Sequence, residues 1–258
     1  MRSVFLLPLA LVLGAVAQDE QAGEDVQHCG TNSTDGVAHA DFLIESRQKH
    51  VLQPFTIETY IHYVAPSNPP DKVKTKLQDS ARKQLDVLNA AFEPSGISFT
   101  RNKPRFWADA RFASIQSGSD LAAMIEKYRV GDDAKILNLF VPYSPSQKVL
   151  GTGACISFDD LFVRKTSPMS SDGCFIRPTT LPGHSFERYN EGKMAVHEVG
   201  HWLGLYHTFQ GGCTGKGDFM PDTPAQAYET FGCNVTQDTC PDQPGLDPIH
   251  NYMGYSDE

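Results

Sequence analysis

Apolar residues recur along this chain with two different periods. From Phe55 to Val64 they alternate, with Phe55, Ile57, Ile61 and Tyr63 on one side and Thr59 among them. Positions two apart share a face of a pleated chain, so this segment predicts a β-strand. From Asp71 to Phe92 the step changes to three or four. Val73, Leu77, Ala81, Leu85, Leu88 and Phe92 then fall on one face of a helix, and Pro94 and Gly96 stop it. Ile97 to Trp107 is a second strand candidate, interrupted by Pro104. Ser119 is placed to cap a helix from Asp120 to about Arg129. Lys135 to Val141 is short and strongly apolar, the pattern of a central strand. Gly151–Phe158 and Gly173–Arg177 predict further short strands, and Leu181 to Gly192 a loop. Strands and helices in this order predict an α/β (α+β) domain, a mixed sheet with backing helices. From Gly211 onward Gly, Pro, Asp and Cys dominate, which predicts an irregular, cross-linked part.

Composition narrows the picture. With 258 residues the chain can form one medium domain, and its formal net charge of -9 lacks Lys/Arg clusters. That argues against nucleic-acid and anionic-membrane partners. The start reads as an address. Met1 and Arg2 precede an apolar run from Val4 to Ala17 that closes on Ala15-Val16-Ala17. This is the pattern of a signal peptide over residues 1–17, followed by a polar arm or propeptide over 18–45 and the main folded domain over 46–258. Once the signal is removed no membrane association is expected. A secreted chain makes disulfides the default for its six cysteines. Six cysteines allow fifteen pairings, and the sequence alone does not choose among them; Cys155 and Cys174 flank two adjacent strand candidates and could pair with each other. Asn32 and Asn234 begin Asn-x-Ser/Thr sequons and are candidate glycan acceptors.

The decisive constellation is His197-Glu198-Val199-Gly200-His201-Trp202-Leu203-Gly204-Leu205-Tyr206-His207. On a helix His197 and His201, four apart, share a face and can direct imidazole nitrogens at one metal ion. Glu198, beside the first ligand, is placed to reach a water on that metal. Gly204 accepts backbone angles that end a helix, and the turn lets His207 approach as a third ligand. Three histidines leave a tetrahedral Zn2+ one open position, the arrangement of a catalytic site. Five fixed residue types at set spacing arise by chance in a chain of this length roughly once in ten thousand. There is no Gly-x-Ser-x-Gly elbow and no phosphate-binding Gly-x-x-x-x-Gly-Lys-Ser/Thr loop to compete with it.

His197 to His207 resembles the long zinc signature of the metzincin metalloproteases, and Asn251-Tyr252-Met253-Gly254-Tyr255 resembles their Met-turn. The stretch Trp202–Phe209, then Gly212-Cys213, Asp222-Thr223-Pro224 and Leu246–Asn251, resembles the pappalysin group, and within it the small secreted metalloproteases of fungi. The close match runs from about Met194 to Tyr255. The resemblance implies a metzincin-like zinc protease domain: an upper subdomain with the mixed sheet and zinc helix, and an irregular, disulfide-linked lower one. It implies one Zn2+ on His197, His201 and His207, Glu198 as general acid/base, Met253 as the apolar floor, and Tyr255 as a stabiliser of the oxyanion. The expected product is a secreted, extracellular and monomeric zinc metalloendopeptidase acting on protein or peptide substrates. Gly151–Phe158 is the candidate edge strand for the substrate backbone, although it could equally be internal.

The same resemblance favours a Cys213–Cys240 bridge. It leaves Cys233 either unpaired or joined to Cys29, with a Cys29 thiolate cap on the zinc as a further alternative. Asp218, Asp222 and Thr223 are a possible Ca2+ loop, against the more ordinary reading of a solvated acidic loop. The chain ends at Glu258, soon after the Met-turn, where related domains continue. A fragment or an unusually short member is therefore expected, and the alternative function is a secreted zinc-binding protein inactive through loss of the C-terminal segment.

Overall fold

A computed structural model describes residues 53–131, 135–143, 153–156 and 169–256. The proposed signal peptide, the polar arm, Cys29 and Asn32 lie outside the described residues.

The first strand, β1 (Phe55–Ala65), is followed by helix α1 (Asp71–Phe92) and strands β2 (Ile97–Phe99) and β3 (Arg105–Ala108). Helix α2 (Gly118–Tyr128), strands β4 (Ile136–Pro142), β5 (Gly153–Ile156) and β6 (Gly173–Ile176), and helix α3 (Lys193–Trp202) complete the order. The sheet runs β2-β1-β4-β6-β5, with β3 also on β1. All pairs are parallel except β5 with β6. The expected mixed sheet is therefore what the chain forms, and β5 lies at its edge.

The interrupted strand resolves into two. β2 pairs with the start of β1 and β3 with its end. Pro104 cannot donate a ladder hydrogen bond, so the chain leaves the sheet between them. Side chains fill the gap: Thr59 N–H donates to Thr100 Oγ1 at 2.9 Å, and Asn102 Nδ2 donates to Thr59 O at 3.1 Å. The cap of α2 is Ser117 rather than Ser119. Ser117 is extended (φ -151°, ψ 162°) and its Oγ accepts from Asp120 N–H at 3.2 Å, the geometry that satisfies an orphan helix donor. Along α1, Ala81, Leu85 and Leu88 are buried as the periodicity requires, but Val73 is exposed at the outer end.

Helices cover both faces of the sheet. Leu85 and Leu88 of α1 and Val196 and Val199 of α3 pack with Ile57, Ile61, Leu137 and Leu139 on one face. Leu121, Met124 and Ile125 of α2 pack with Val64, Phe140 and Phe175 on the other. The second half of β1 is consequently buried on both sides, which hides His62 completely. Its ring stacks on Phe140 with centroids 4.4 Å apart. Trp107 Nε1–H can only donate, and it reaches His62 Nδ1 at 3.1 Å. Nε2 must then carry the proton and donate to Asn138 Oδ1 at 3.0 Å. Burial, more than the nearby Arg105 charge, pulls the His62 pKa down to about 4.

The sign follows from linkage. The unfolded imidazole takes a proton near pH 6.5 and the folded one only near 4, so stability falls as pH drops through that window. A loss on the order of 2 kcal/mol between pH 7.5 and 4.5 is expected on this account. His62→Gln should be less stable at pH 7.5 but should flatten that difference, as measured by urea unfolding at the two pH values. An unchanged difference in the variant would assign the acid sensitivity elsewhere.

Candidate metal centre

Helix α3 lies between α1 and the β5–β6 end of the sheet, with every residue from Met194 to Trp202 buried. Gln84 of α1 fastens its start by donating to Gly192 O at 2.9 Å. Cys155 and Cys174 stand opposite one another on β5 and β6 and are bonded. Cys155 Sγ lies 2.8 Å from the carbonyl oxygen of Glu198, so this bridge packs directly beneath the helix.

The helix ends as its glycine predicts. Gly204 has φ 91°, Leu205 N–H bonds to Gly200 O, and Gly204 N–H bonds to His201 O, both at 2.9 Å. This is a Schellman termination, and it turns the chain back toward the helix face. The turn also delivers the Leu205 carbonyl to His201 Nδ1 at 2.8 Å, while the Tyr252 carbonyl meets His197 Nδ1 at 2.6 Å. A carbonyl can only accept, so both Nδ1 atoms carry protons. Both Nε2 atoms are left with lone pairs pointing inward.

Those lone pairs converge. His201 Nε2 is 3.0 Å from His197 Nε2 and 3.0 Å from His207 Nε2. Zinc–nitrogen bonds of about 2.0–2.1 Å at tetrahedral angles separate ligand nitrogens by about 3.4 Å. The donor set therefore fits a zinc ion with little adjustment. All three rings are buried. Burial, reinforced by the neighbouring imidazoles, holds His201 well below its usual pKa and brings His207 down to about 3. Neutral imidazoles are the form that binds metal. Among the described residues this trio is the group of His, Cys, Asp or Glu that converges in this way.

The other expected residues gather here as well. Glu198 is fully buried beside His197. Tyr255 Oη is 3.1 Å from His207 Nε2, and the two rings meet edge to face at 4.9 Å. Met253 is buried under the helix at Gly200. A Cβ at Gly200 would stand 2.4 Å from Met253 Sδ, so this glycine, unlike most, is needed for close approach. The turn that carries Met253 also reaches the histidines. It supplies the Tyr252 carbonyl to His197, and its Met253 carbonyl accepts from Thr208 N–H at 3.2 Å, next to the third histidine. Sequence reasoning found the histidines, Glu198, Met253 and Tyr255, but not Gly200 or the Tyr252 carbonyl. An unexplained glycine between the two helical histidines was the available signal.

Gly200→Ala should cost about 1–3 kcal/mol through overpacking against the thioether. Thermal unfolding should show the cost shrinking in a Met253→Ala background, where the methyl group has room. Equal costs in both backgrounds would mean the two residues are not coupled.

A cleft of about 160 Å³ opens beside His197, bounded by Tyr189, Lys193, Met194, Tyr252 and Tyr255. In the irregular part Cys213 and Cys240 are bonded. Cys233 is exposed and unbridged among the described residues, with Cys29 outside them. Asn234 is exposed, and its Oδ1 accepts from Thr236 N–H and Oγ1–H. Asp218 is buried, which raises its pKa, and its Oδ1 accepts from Met220 N–H. Asp222 is exposed, and neither aspartate belongs to a converging ligand cluster.

Residues 181–258 match the Peptidase_M43 family, described as pregnancy-associated plasma protein-A. The chain is 44% identical over 204 residues to an extracellular metalloprotease of Pyricularia oryzae, covering 79% of this chain and 68% of that one. It is 47% identical over 175 residues to one of Sordaria macrospora, with 67% of this chain and 58% of that one covered. An extracellular metalloprotease of Verticillium alfalfae is 36% identical over 259 residues, with 96% and 89% covered. A solved metalloproteinase-II from Bacteroides fragilis shows a distant likeness (TM-score 0.37, 11% identity, 61% of this chain and 45% of that one), too weak to place any residue.

Proposed function

Because the chain belongs to the pappalysin-type family of fungal extracellular metalloproteases, we propose that it is a secreted zinc metalloendopeptidase that cleaves protein or peptide substrates without a covalent intermediate. The convergence of the three histidine Nε2 atoms carries the reading. His197, His201 and His207 would hold one zinc ion, which when bound would supply Lewis acidity to water and to the substrate carbonyl. Glu198, buried beside the first ligand, would take the proton from the attacking water and pass it to the leaving amine. Tyr255 Oη, next to the ligand set, would donate to the oxygen that gains charge in the transition state. Met253 would keep an apolar floor beneath the ligands. Among the described residues β5 ends the strand order, and an extended substrate could add beside it as a further strand.

Secretion supports the rest of the reading. Residues 1–17 would be the signal peptide, 18–45 an arm or propeptide, and 46–258 the catalytic unit. Two disulfides fit an oxidising compartment. Asn234 is exposed at the start of a turn, where a glycan could be attached. Among the described residues no helix is long and apolar enough to cross a membrane.

The test is casein hydrolysis by the secreted chain, with and without 1,10-phenanthroline. Activity lost to the chelator and restored by added zinc is expected. A folded protein that binds one zinc yet leaves casein intact would instead favour a zinc-binding protein without turnover.

A further inference from the structure

The third histidine has neither helix nor strand to hold it. His207 lies beyond the Schellman turn in a stretch without regular structure, yet its Nε2 stands 3.0 Å from that of His201. The next residue is anchored twice. Thr208 N–H donates to Met253 O at 3.2 Å, and Thr208 Oγ1 donates to Gln226 Oε1 at 2.6 Å. Gln226 Nε2 in turn donates to Thr230 Oγ1 at 2.8 Å. Thr208, Gln226 and Thr230 are 2%, 3% and 4% exposed, so water cannot replace a lost partner cheaply. Immediately after Thr230, Phe231 stacks against Tyr255 with centroids 6.3 Å apart. A single amide thus connects the segment bearing the third histidine with the segment backing the tyrosine. Glutamine suits the place because its acceptor and its donor sit at one end, matching a hydroxyl that gives a proton and one that receives.

We propose that Gln226 is a positioning residue of the metal centre, fixing His207 and Tyr255 relative to each other through Thr208 and Thr230. The inference rests on the reading of the three histidines as metal ligands. Groups that orient a ligand from behind typically change metal affinity 10- to 100-fold when removed. Gln226→Met keeps the bulk and removes both hydrogen bonds. Thr208→Val keeps the shape and removes one, and Thr208→Ser restores it.

The readouts are zinc affinity, by competition with a chromogenic chelator, and the visible spectrum of the cobalt-substituted protein. Gln226→Met and Thr208→Val should each bind zinc about 10- to 100-fold more weakly and shift the cobalt bands, while Thr208→Ser stays within about threefold of wild type. If both variants merely melt at lower temperature, with zinc affinity within about twofold and unchanged cobalt bands, the role is structural and the inference falls. Should Gln226→Met fail to fold, the valine and serine variants at Thr208 decide alone. His201→Ala separates the two levels. Wild type binding no tighter than His201→Ala would overturn the metal reading itself, whereas normal wild-type binding with unaffected variants overturns only the role of Gln226.

Discussion

Glu198→Gln is expected to lower kcat/KM for peptide hydrolysis by about 10²- to 10⁴-fold and to leave zinc content unchanged. Three facts set this expectation. Glu198 is fully buried next to His197, in the helix that carries the first two histidines. Glutamine has the same shape, so the packed helix is not disturbed. The support that Glu198 lends to its surroundings is partly main-chain, through the carbonyl in contact with the Cys155–Cys174 bridge, and survives the change. An amide cannot take the proton from water, so the loss should fall on kcat and not on metal binding. Steady-state kinetics beside metal analysis checks both parts. Retention of more than about a tenth of the activity would mean that another group acts as the base.

Asp172→Ala is expected to cost about 3–5 kcal/mol of stability. Asp172 is completely buried, and its Oδ1 accepts from Trp202 Nε1–H at 2.8 Å. Its Oδ2 lies 3.5 Å from Nη2 of Arg129, whose side chain is 6% exposed. Removing the carboxylate takes from a buried guanidinium the counter-charge 3.5 Å away and from Trp202 its acceptor, and the desolvation already incurred makes such a loss expensive. The loss should reach zinc binding as well, because Trp202 follows His201 at the end of α3. Thermal unfolding should show a fall on the order of 10 °C, with a change in the near-ultraviolet circular dichroism of the tryptophans. Asp172→Asn, which keeps an acceptor for Trp202, should lose less. A cost below about 1 kcal/mol would show that water reaches the pair after all.

Neither Asp172 nor Arg129 stood out in the sequence. An aspartate just before a short strand and an arginine after a helix both have the pattern of solvated surface residues. Asp172 and Trp202 are 30 positions apart, and no periodicity links them. The same is true of Gln226, which sits in a Pro- and Asp-rich stretch where a polar residue is unremarkable. Folding desolvates these groups, and their partners become essential at that point.

Ser117 and Ser119 show a finer limit. Both are capping residues by type, two positions apart, and the choice between them turned on which backbone was extended. Pro104 was legible as an interruption, but not that the chain would return to the same edge of β1 on its far side. Cys155–Cys174 was one pairing the sequence allowed once both segments read as neighbouring strands, but only the register that sets the two residues opposite one another decided it.

By itself the sequence determined the order of strands and helices, through local periodicity, and the chemistry of the site. His197, Glu198, His201 and Gly204 are set by helical spacing, which is a property of the backbone and holds before any tertiary contact forms. The tertiary structure alone decided what holds that chemistry in place. The Tyr252 carbonyl on His197, the thioether against Gly200, the Asp172 pair under Trp202 and the Gln226 amide behind His207 all join segments far apart in the chain. Such contacts depend on how layers pack and on which polar groups lose water, and neither follows from the spacing of residues along one segment.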